Sequence, residues 1–126
     1  DAAAQRACSL GGEWSEPATV LVETGLRLRD IVRIVGEERD AERALANASV
    51  FLEAFGHWVV AWIWLEQALV AAPHAGRPAG RDTDFYLGKC QAARYFLRWE
   101  LPKVRPMLDL LSSMDSTPLE MRDAWF

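Results

Sequence analysis

The strongest constraint on the fold of this chain is the segment from Ala54 to Ala68, AFGHWVVAWIWLEQA, where nearly every position is apolar. A helix that is apolar on nearly every face needs other elements packed against it on all sides. Further along, the segment from Gly88 to Lys103, GKCQAARYFLRWELPK, can supply one of those covering elements. Together the two segments predict an all-α fold, an antiparallel helical bundle.

Length and composition are those of one globular helical domain. The chain has 126 residues, of which 51% are hydrophobic and 25% charged, enough to bury a single core without a disulfide or a structural metal. The formal net charge of -4 argues against a nucleic-acid partner, because phosphate neutralisation requires an excess of Lys and Arg. Cys8 and Cys90 lack any CxxC spacing, which predicts two free thiols and a cytoplasmic protein.

The apolar stretch from Phe55 to Ala72 approaches the length of a membrane span. It is interrupted by His57, Glu66 and Gln67, and each of these side chains is costly in hydrocarbon. We therefore expect a buried core helix and no membrane span.

The domain boundaries follow from the pattern of apolar residues. Residues 1–14 show no periodicity and contain two glycines, so they are predicted to be a linker or tail that follows something longer, and residues 15–126 are predicted to be one helical bundle domain. Ser15 fits the N-cap of a first helix that stops near Gly36. Its apolar stripe consists of Leu21, Thr24, Leu28, Ile31 and Val35.

A second helix is predicted from Asp40 to Ala72, followed by a surface loop from Pro73 to Asp82. The third helix should kink or split near Leu101, because the ring of Pro102 removes a hydrogen bond and clashes with the preceding turn. A short last helix is predicted at Thr117, where Pro118 and Glu120 complete a capping box. The core-facing positions predicted for the second helix are Ala41, Leu45, Ala48, Leu52, Phe55, Val59, Trp62, Glu66 and Leu69.

Independent catalysis and metal binding are not expected. A di-iron bundle needs Glu-x-x-His pairs on facing helices, whereas Glu53 and His57 are four positions apart and the chain has only two histidines. No phosphate-binding glycine loop or nucleophile elbow occurs. The sequence therefore offers no catalytic, cofactor-binding or metal-ligating residue.

Glu66 is the polar residue that most needs a hydrogen-bonding or oppositely charged partner, because an unpaired carboxylate that faces the core carries a large desolvation cost. Folding the second and third helices back on each other brings Lys89 or Arg94 within its reach. The prediction is a buried salt bridge that fixes helix register, and the alternative is a ligand-binding or proton-handling carboxylate. The same folding brings His57 near Trp99, where it is expected to be a core histidine satisfied by a hydrogen bond.

Six tryptophans in so short a chain could form an aromatic cage, but core packing accounts for Trp58, Trp62 and Trp64. The aromatic residues near the helix ends and the terminus differ, because an exposed apolar patch there would serve for docking. The candidate interface residues are Trp99, Trp125 and Phe126.

Three segments carry a resemblance to a known family. They are ALANASVFLEAFGHWVVAWIWLEQAL from Ala44, FYLGKCQAARYFLRWELPK from Phe85, and STPLEMRDAWF from Ser116. Together they resemble the C-terminal domain of acyl-CoA dehydrogenases of the 3-methylmercaptopropionyl-CoA dehydrogenase-like branch. The motifs are helix-packing residues and include no catalytic signature.

The resemblance implies a parent flavoenzyme, in which a glutamate removes the α-proton of an acyl-CoA and FAD accepts the hydride. No position here matches the motifs for the base or the flavin, so FAD is expected in the parent and not in this chain. The chain is then expected to pack on the rest of the parent or on a neighbouring subunit of a homo-oligomer. The alternative is a stand-alone helical module that binds an apolar ligand or partner helix.

Overall fold

The computed structural model describes residues 12–76 and 81–126, and those residues contain helices and no strand. Five α-helices follow one another: α1 (Ser15–Glu37), α2 (Ala41–Leu45), α3 (Ala48–Ala75), α4 (Arg81–Tyr95) and α5 (Val104–Ser112). A π-helical turn (Phe96–Glu100) and a 3-10 turn (Leu101–Lys103) join α4 to α5. Further 3-10 turns occur at Gly12–Trp14, Thr117–Leu119 and Asp123–Trp125. The predicted all-α bundle is confirmed.

Helix α1 buries the predicted apolar stripe. Its buried residues are Ala18, Leu21, Thr24, Leu28 and Ile31, spaced three and four apart as one face of a helix requires. The hydroxyl of Thr24 donates to the carbonyl of Val20 at 2.8 Å, which satisfies this polar group within the core. The predicted N-cap is wrong by one residue, because Trp14 occupies the cap without a side-chain hydrogen bond and Ser15 is already helical.

The packed body also includes Trp14. This residue lies in the Gly12–Trp14 turn and is 6% exposed within the core cluster. The rest of the predicted tail, residues 1–11, lies outside the described residues.

The predicted second helix is divided in two. Asp40 caps α2 by accepting hydrogen bonds from the backbone N–H groups of Glu42 and Arg43, but α2 ends at Leu45 and α3 begins at Ala48. At the break, Nδ2 of Asn47 donates to the carbonyl of Asp115 at 2.8 Å. This bond ties the interruption to the segment that follows α5.

The buried face of α3 is displaced by about one residue from the predicted one. The residues it buries are Ala54, Ala61, Leu65, Ala68 and Ala71, whereas the predicted positions Leu52 and Phe55 are 66% and 42% exposed. One residue is a rotation of about 100° around a helix. Four of the five buried residues are alanines, which lets neighbouring helices approach closely, so large apolar residues were a misleading guide to the core.

Helix α3 also continues past the predicted end at Ala72. Pro73 lies inside its last turn and the helix ends at Ala75. The predicted loop from Pro73 to Asp82 is therefore helical at both ends, and residues 77–80 lie outside the described residues.

The predicted interruption of the third helix at Pro102 is confirmed. The N–H of Leu101 donates to the carbonyl of Phe96, a π-helical bond, immediately before the turn that contains Pro102. The missing N–H of proline and its ring prevent a regular α-helix here, and the π and 3-10 turns carry the chain into α5. The predicted short last helix is present as the 3-10 helix Thr117–Leu119, but its N-cap is Ser116 and not the predicted Thr117, and Ser116 makes no side-chain capping hydrogen bond.

The helices pack antiparallel around α3. Contacts between Gln67 and Lys89 and between His57 and Glu100 show that α4 and the π turn run back along α3. Trp58 of α3 likewise contacts the middle of α1. The core lies among α1, α3, α4 and α5, and its largest fully buried side chains are Leu21, Ile31, Leu65, Leu101 and Leu108.

Candidate interaction surface

Glu66 does not occupy the core. It is exposed, because the adjacent Leu65, with no exposed surface, takes the core-facing position. Among the residues the structure describes, Glu66 forms no ion pair with Lys89 or Arg94, so the predicted buried pair is wrong. The physical reason is the one-residue rotation of α3.

Arg94 instead binds Glu13 across 81 positions of sequence. Its Nε and Nη2 atoms donate to the two carboxylate oxygens at 2.7 and 2.8 Å, and its guanidinium lies 5.5 Å from the ring centre of Trp14. The hydrogen bonds from Arg94 lower the pKa of Glu13 and raise the pKa of Arg94. This forked pair fastens the start of the domain to α4.

Lys89 lies in a groove between α3 and α4. Its Nζ donates to Oε1 of Gln67 at 3.1 Å and lies 5.4 and 5.6 Å from the ring centres of Trp64 and Phe85. The groove has a volume of about 370 Å³ and is also lined by Glu66. The lysine is thus held by an amide and two aromatic faces.

His57 is half-buried and belongs to a small polar cluster. Its Nδ1 lies 3.0 Å from the carbonyl oxygen of Glu53; this nitrogen therefore donates, and Nε2 faces Oε2 of Glu100 at 3.9 Å. Glu100 accepts from Nζ of Lys103 at 2.7 Å and from the hydroxyl of Tyr95 at 3.1 Å. The bond from Lys103, together with that from Tyr95, lowers the pKa of Glu100. The predicted hydrogen bond of His57 is present, at the edge of the core.

Within the described ranges, no group of three or more His, Cys, Asp or Glu side chains is placed to hold a metal ion. Cys90 is buried as a free thiol, and burial raises its pKa, which makes it a poor nucleophile. Cys8 lies outside the described residues.

An apolar pocket of about 340 Å³ opens where α1, α2 and the start of α3 meet the end of α5. Arg43 is the cation among its lining residues, and its Nε lies 3.6 Å from a carboxylate oxygen of Glu38. Met114 lines the pocket with φ of 51°, a left-handed conformation rare for residues other than glycine. The apolar lining residues include Val32, Val35, Leu45, Phe51 and Leu111.

A second apolar feature runs along α3 opposite its buried alanines; we call it the outer stripe. From Leu52 to Ile63 it follows the helical spacing of three and four residues, and the exposed Glu66 then separates Ile63 from Val70. Large parts of its side chains are exposed, such as 66% of Leu52, 48% of Ile63 and 66% of Val70. It consists of Leu52, Phe55, Gly56, Val59, Val60, Ile63 and Val70.

The outer stripe corrects the expectation that α3 is covered on all sides. By length and composition, the segment Ala41–Ala75 could cross a membrane, but one such helix is weak evidence of a span. Only 17% of its most apolar window is buried. The segment therefore presents an extensive apolar surface outward.

The three aromatic residues predicted to form an interface are all exposed. Trp99 is 68%, Trp125 63% and Phe126 93% exposed. The ring of Trp99 stacks on Tyr95 at 6.3 Å between ring centres, and Arg122 lies 5.5 Å from the ring centre of Trp125. Trp99 belongs to the π turn and the other two to the terminus, so they do not form part of the outer stripe.

Sequence reasoning missed the outer stripe, the apolar pocket and the Glu13–Arg94 pair. The sequence did carry a signal for the outer stripe. When a helix that is apolar on every face has too few neighbouring helices to cover it, one apolar face stays exposed. The apolar pocket depends on the helix break at Asn47, and the Glu13–Arg94 pair depends on a contact between residues distant in sequence. Neither feature has a local sequence signature.

Comparison with known proteins gives one family. The sequence model of the family described as acetyl-CoA dehydrogenase C-terminal like matches residues 2–122 of this chain. No curated protein and no solved structure matches it.

Proposed function

Because the chain belongs to the acetyl-CoA dehydrogenase C-terminal-like family, we propose that it acts as an accessory domain of an acyl-CoA dehydrogenase. In this proposal it packs on the catalytic body or on a neighbouring subunit and performs no catalysis by itself. The match over residues 2–122 is the observation that carries the proposal. The parent's placement in the 3-methylmercaptopropionyl-CoA dehydrogenase-like branch is part of the proposal and rests on the three resembling segments.

The exposed apolar surface supports a packing role. A large apolar patch on a small domain favours burial against another protein surface. The outer stripe and the exposed Trp99, Trp125 and Phe126 all offer such surface. A helical domain that carries this much exposed apolar surface is well suited to being one part of a larger assembly.

FAD is proposed for the catalytic body and not for this domain. A flavin dinucleotide carries a diphosphate that needs positive charge or clustered backbone N–H groups. The apolar pocket offers Arg43, which already lies 3.6 Å from Glu38, and its other lining residues are mostly aliphatic. This pocket therefore does not fit the group. We place the enzyme in the cytoplasm, a compartment compatible with the free thiol of Cys90.

The first experiment is to sequence the gene upstream of the codon for Asp1 and to express the protein it encodes. An open frame that continues into a flavin-binding acyl-CoA dehydrogenase body is expected. The enzyme should then be compared with a version that ends before residue 12. Loss of assembly, lower thermal stability or a changed preference among acyl-CoA chain lengths is expected, whereas no change in all three would contradict the proposal.

The apolar pocket supports an alternative, a stand-alone module for an aliphatic ligand. Gly36 lines this pocket, and a Cβ added there meets no atom within 4 Å, so Gly36→Leu should fill the space. The matched control is Gly88→Leu, at another helical glycine with no neighbour within 4 Å. Binding of dodecanoate that Gly36→Leu abolishes and Gly88→Leu preserves, in a protein encoded without a dehydrogenase body, would favour the alternative.

A further inference from the structure

We propose that the groove between α3 and α4 that contains Lys89 binds a small aromatic monocarboxylate, whose carboxylate pairs with the ammonium of Lys89. We call it the Lys89 groove. It lies between the C-terminal part of α3 and the N-terminal half of α4. The inference goes beyond the proposed function, because packing on a catalytic body does not require a small-molecule site.

The ammonium of Lys89 is held in place but is not neutralised. Its Nζ donates to Oε1 of Gln67 at 3.1 Å and lies 5.4 and 5.6 Å from the ring centres of Trp64 and Phe85. An amide and two ring faces orient a cation, yet none of them carries a full negative charge. Within the described residues Lys89 forms no ion pair, although an ammonium has three N–H donors. A carboxylate can accept a charge-assisted hydrogen bond from a donor that Gln67 leaves free.

The walls of the Lys89 groove are apolar next to that cation. They include the exposed Val70 and Phe85, together with Ala71 and Tyr86. The volume of about 370 Å³ lies at the small end of the range of about 300–1,000 Å³ for small-molecule sites. The groove therefore suits a small molecule with an apolar body. An aromatic ring is favoured, because its contact with Phe85 contributes energy beyond the area it buries.

The aromatic wall is fixed before any ligand arrives. The ring of Phe85 meets that of Tyr86 edge-on, with 5.5 Å between centres and 75° between planes, and Tyr86 stacks on His74 at 4.7 Å. Rings that are already held lose little rotamer freedom on binding. Phe85 also contacts the ammonium of Lys89, so one ring joins the apolar wall to the charged end of the groove.

Glu66 limits the charge of the ligand. Its exposed carboxylate lines the same groove and repels any negative charge placed beside Lys89. One cation next to one carboxylate favours a ligand with a single negative charge over a phosphate monoester, which carries about −1.5 to −2 at pH 7. A carboxylate meets this condition.

The test is a titration of the isotope-labelled 126-residue chain with phenylacetate, followed by the backbone amide signals in NMR spectra at constant ionic strength. One charge contact in an open groove predicts a dissociation constant of roughly 0.1–5 mM, so the titration runs to about 30 mM. The shifts should concentrate at Val70, Ala71, Phe85 and Lys89. Phenylacetamide, which lacks the charge, and acetate, which lacks the ring, should each bind at least about tenfold more weakly.

The first variant pair tests the cation. Lys89→Met and Lys103→Met each remove one of the two lysines of the chain, but Lys103 lies outside the groove and its Nζ already donates to Glu100 at 2.7 Å. Lys89→Met should weaken phenylacetate binding at least about tenfold and keep the affinity for phenylacetamide within about twofold. Lys103→Met should leave both affinities unchanged.

The second variant pair tests the place. Val70 and Leu52 are each 66% exposed on α3, and Val70 lines the Lys89 groove whereas Leu52 does not. Val70→Trp should obstruct the groove and abolish binding, and Leu52→Trp should preserve it. Because both positions are exposed, both variants should keep the melting temperature of the wild type.

The third variant pair tests the neighbouring carboxylate. Glu66→Gln should tighten phenylacetate binding about two- to fivefold, because it removes a repulsion within the groove. Glu53→Gln, at an exposed position of α3 outside the groove, should have no effect. The two variants change the net charge of -4 by the same amount, so equal effects would overturn the assignment to the groove.

Four further results would overturn the proposal. They are no binding of phenylacetate up to about 30 mM, equal affinities for phenylacetate and phenylacetamide, equal losses in the two lysine variants or in the two tryptophan variants, and shifts that concentrate at Val35 and Phe51 of the apolar pocket. If Lys89→Met does not fold, the tryptophan and glutamine pairs decide. Since the experiment uses this chain alone, none of these results changes its assignment to a dehydrogenase parent.

Discussion

The ring of Trp58 in α3 lies directly over Gly25 in α1. Nε1 of Trp58 donates to the carbonyl of Leu21 at 2.9 Å, and a Cβ built on Gly25 would come within 2.9 Å of Cζ2 of the ring. The hydrogen bond prevents the ring from simply moving aside. Gly25 therefore sets the distance between α1 and α3.

Gly25→Ala should destabilise the domain despite alanine's better helix propensity. Overpacking costs about 1–3 kcal/mol, and the helix gain returns about 0.5–1 kcal/mol, which leaves a net loss of about 1 kcal/mol. Gly88→Ala is the matched control, because its Cβ meets no atom within 4 Å, and it should be stabilising. The measurement is the free energy of unfolding in urea; equal shifts in both variants would contradict the close contact.

Two neighbouring tryptophans should respond differently to replacement by phenylalanine. Trp58→Phe loses the bond to Leu21, whereas Nε1 of Trp62 is buried with no hydrogen-bond partner among the described residues. Trp62→Phe removes an unpaired buried N–H and so regains about 1–3 kcal/mol of desolvation cost. Thermal denaturation should therefore show a larger loss for Trp58→Phe, and the reverse order would show that Trp62 has a partner.

Leu65→Ala and Glu66→Ala test the rotation of α3. Leu65 has no exposed surface and Glu66 is exposed, so truncation of Leu65 should cost about 2–5 kcal/mol. Truncation of Glu66 should change the free energy of unfolding by no more than about 0.5 kcal/mol. A large loss for Glu66→Ala would instead restore it as a buried, paired carboxylate.

The buried face was predicted correctly for α1 and incorrectly for α3, and this difference has a physical cause. In α1, charged residues such as Arg29 and Asp30 alternate with the stripe and mark the solvent side, so the core-facing side could be predicted. In α3, apolar residues occupy all sides, and periodicity alone does not distinguish the face with Ala61 from the face with Ile63. Burial there depends on how closely neighbouring helices approach, which small residues decide.

The interruption at Pro102 was predictable because the missing N–H and the ring act within one turn. The Glu13–Arg94 pair was not, because many carboxylates and cations in the sequence could pair equally well. The candidate surface was predictable only in part: Trp99, Trp125 and Phe126 are exposed as an interface requires, but the outer stripe was interpreted as core.

Removal of residues 123–126 should leave the domain intact. Trp125 and Phe126 are 63% and 93% exposed, so their loss exposes little buried surface and should change stability by no more than about 0.5 kcal/mol. If they dock on the catalytic body, the same truncation in the parent should weaken its assembly. Circular dichroism of the isolated chain measures the effect on stability, and sedimentation of the parent measures the effect on assembly. Unchanged assembly would exclude Trp125 and Phe126 from the interface.

The Glu13–Arg94 pair predicts a specific dependence of stability on pH. The hydrogen bonds from Arg94 lower the pKa of Glu13 in the folded state below the value of about 4.3 in an unfolded chain. The contribution is therefore fully present above the unfolded-state value and is lost as the pH falls through the folded-state value. Because the Glu13 side chain is 47% exposed, the contribution at neutral pH should be no more than about 1 kcal/mol.

Glu13→Gln isolates this contribution. The variant should be less stable than the wild type at pH 7, and the two should converge toward about pH 2 as Glu13 becomes protonated. Glu66→Gln is the control, because Glu66 is exposed and forms no ion pair within the described part of the chain; at pH 7 it should change the free energy of unfolding by no more than about 0.5 kcal/mol. Urea unfolding at several pH values measures the difference. A constant gap between Glu13→Gln and the wild type down to pH 2 would mean that the substitution acts through packing and not through the charge of Glu13.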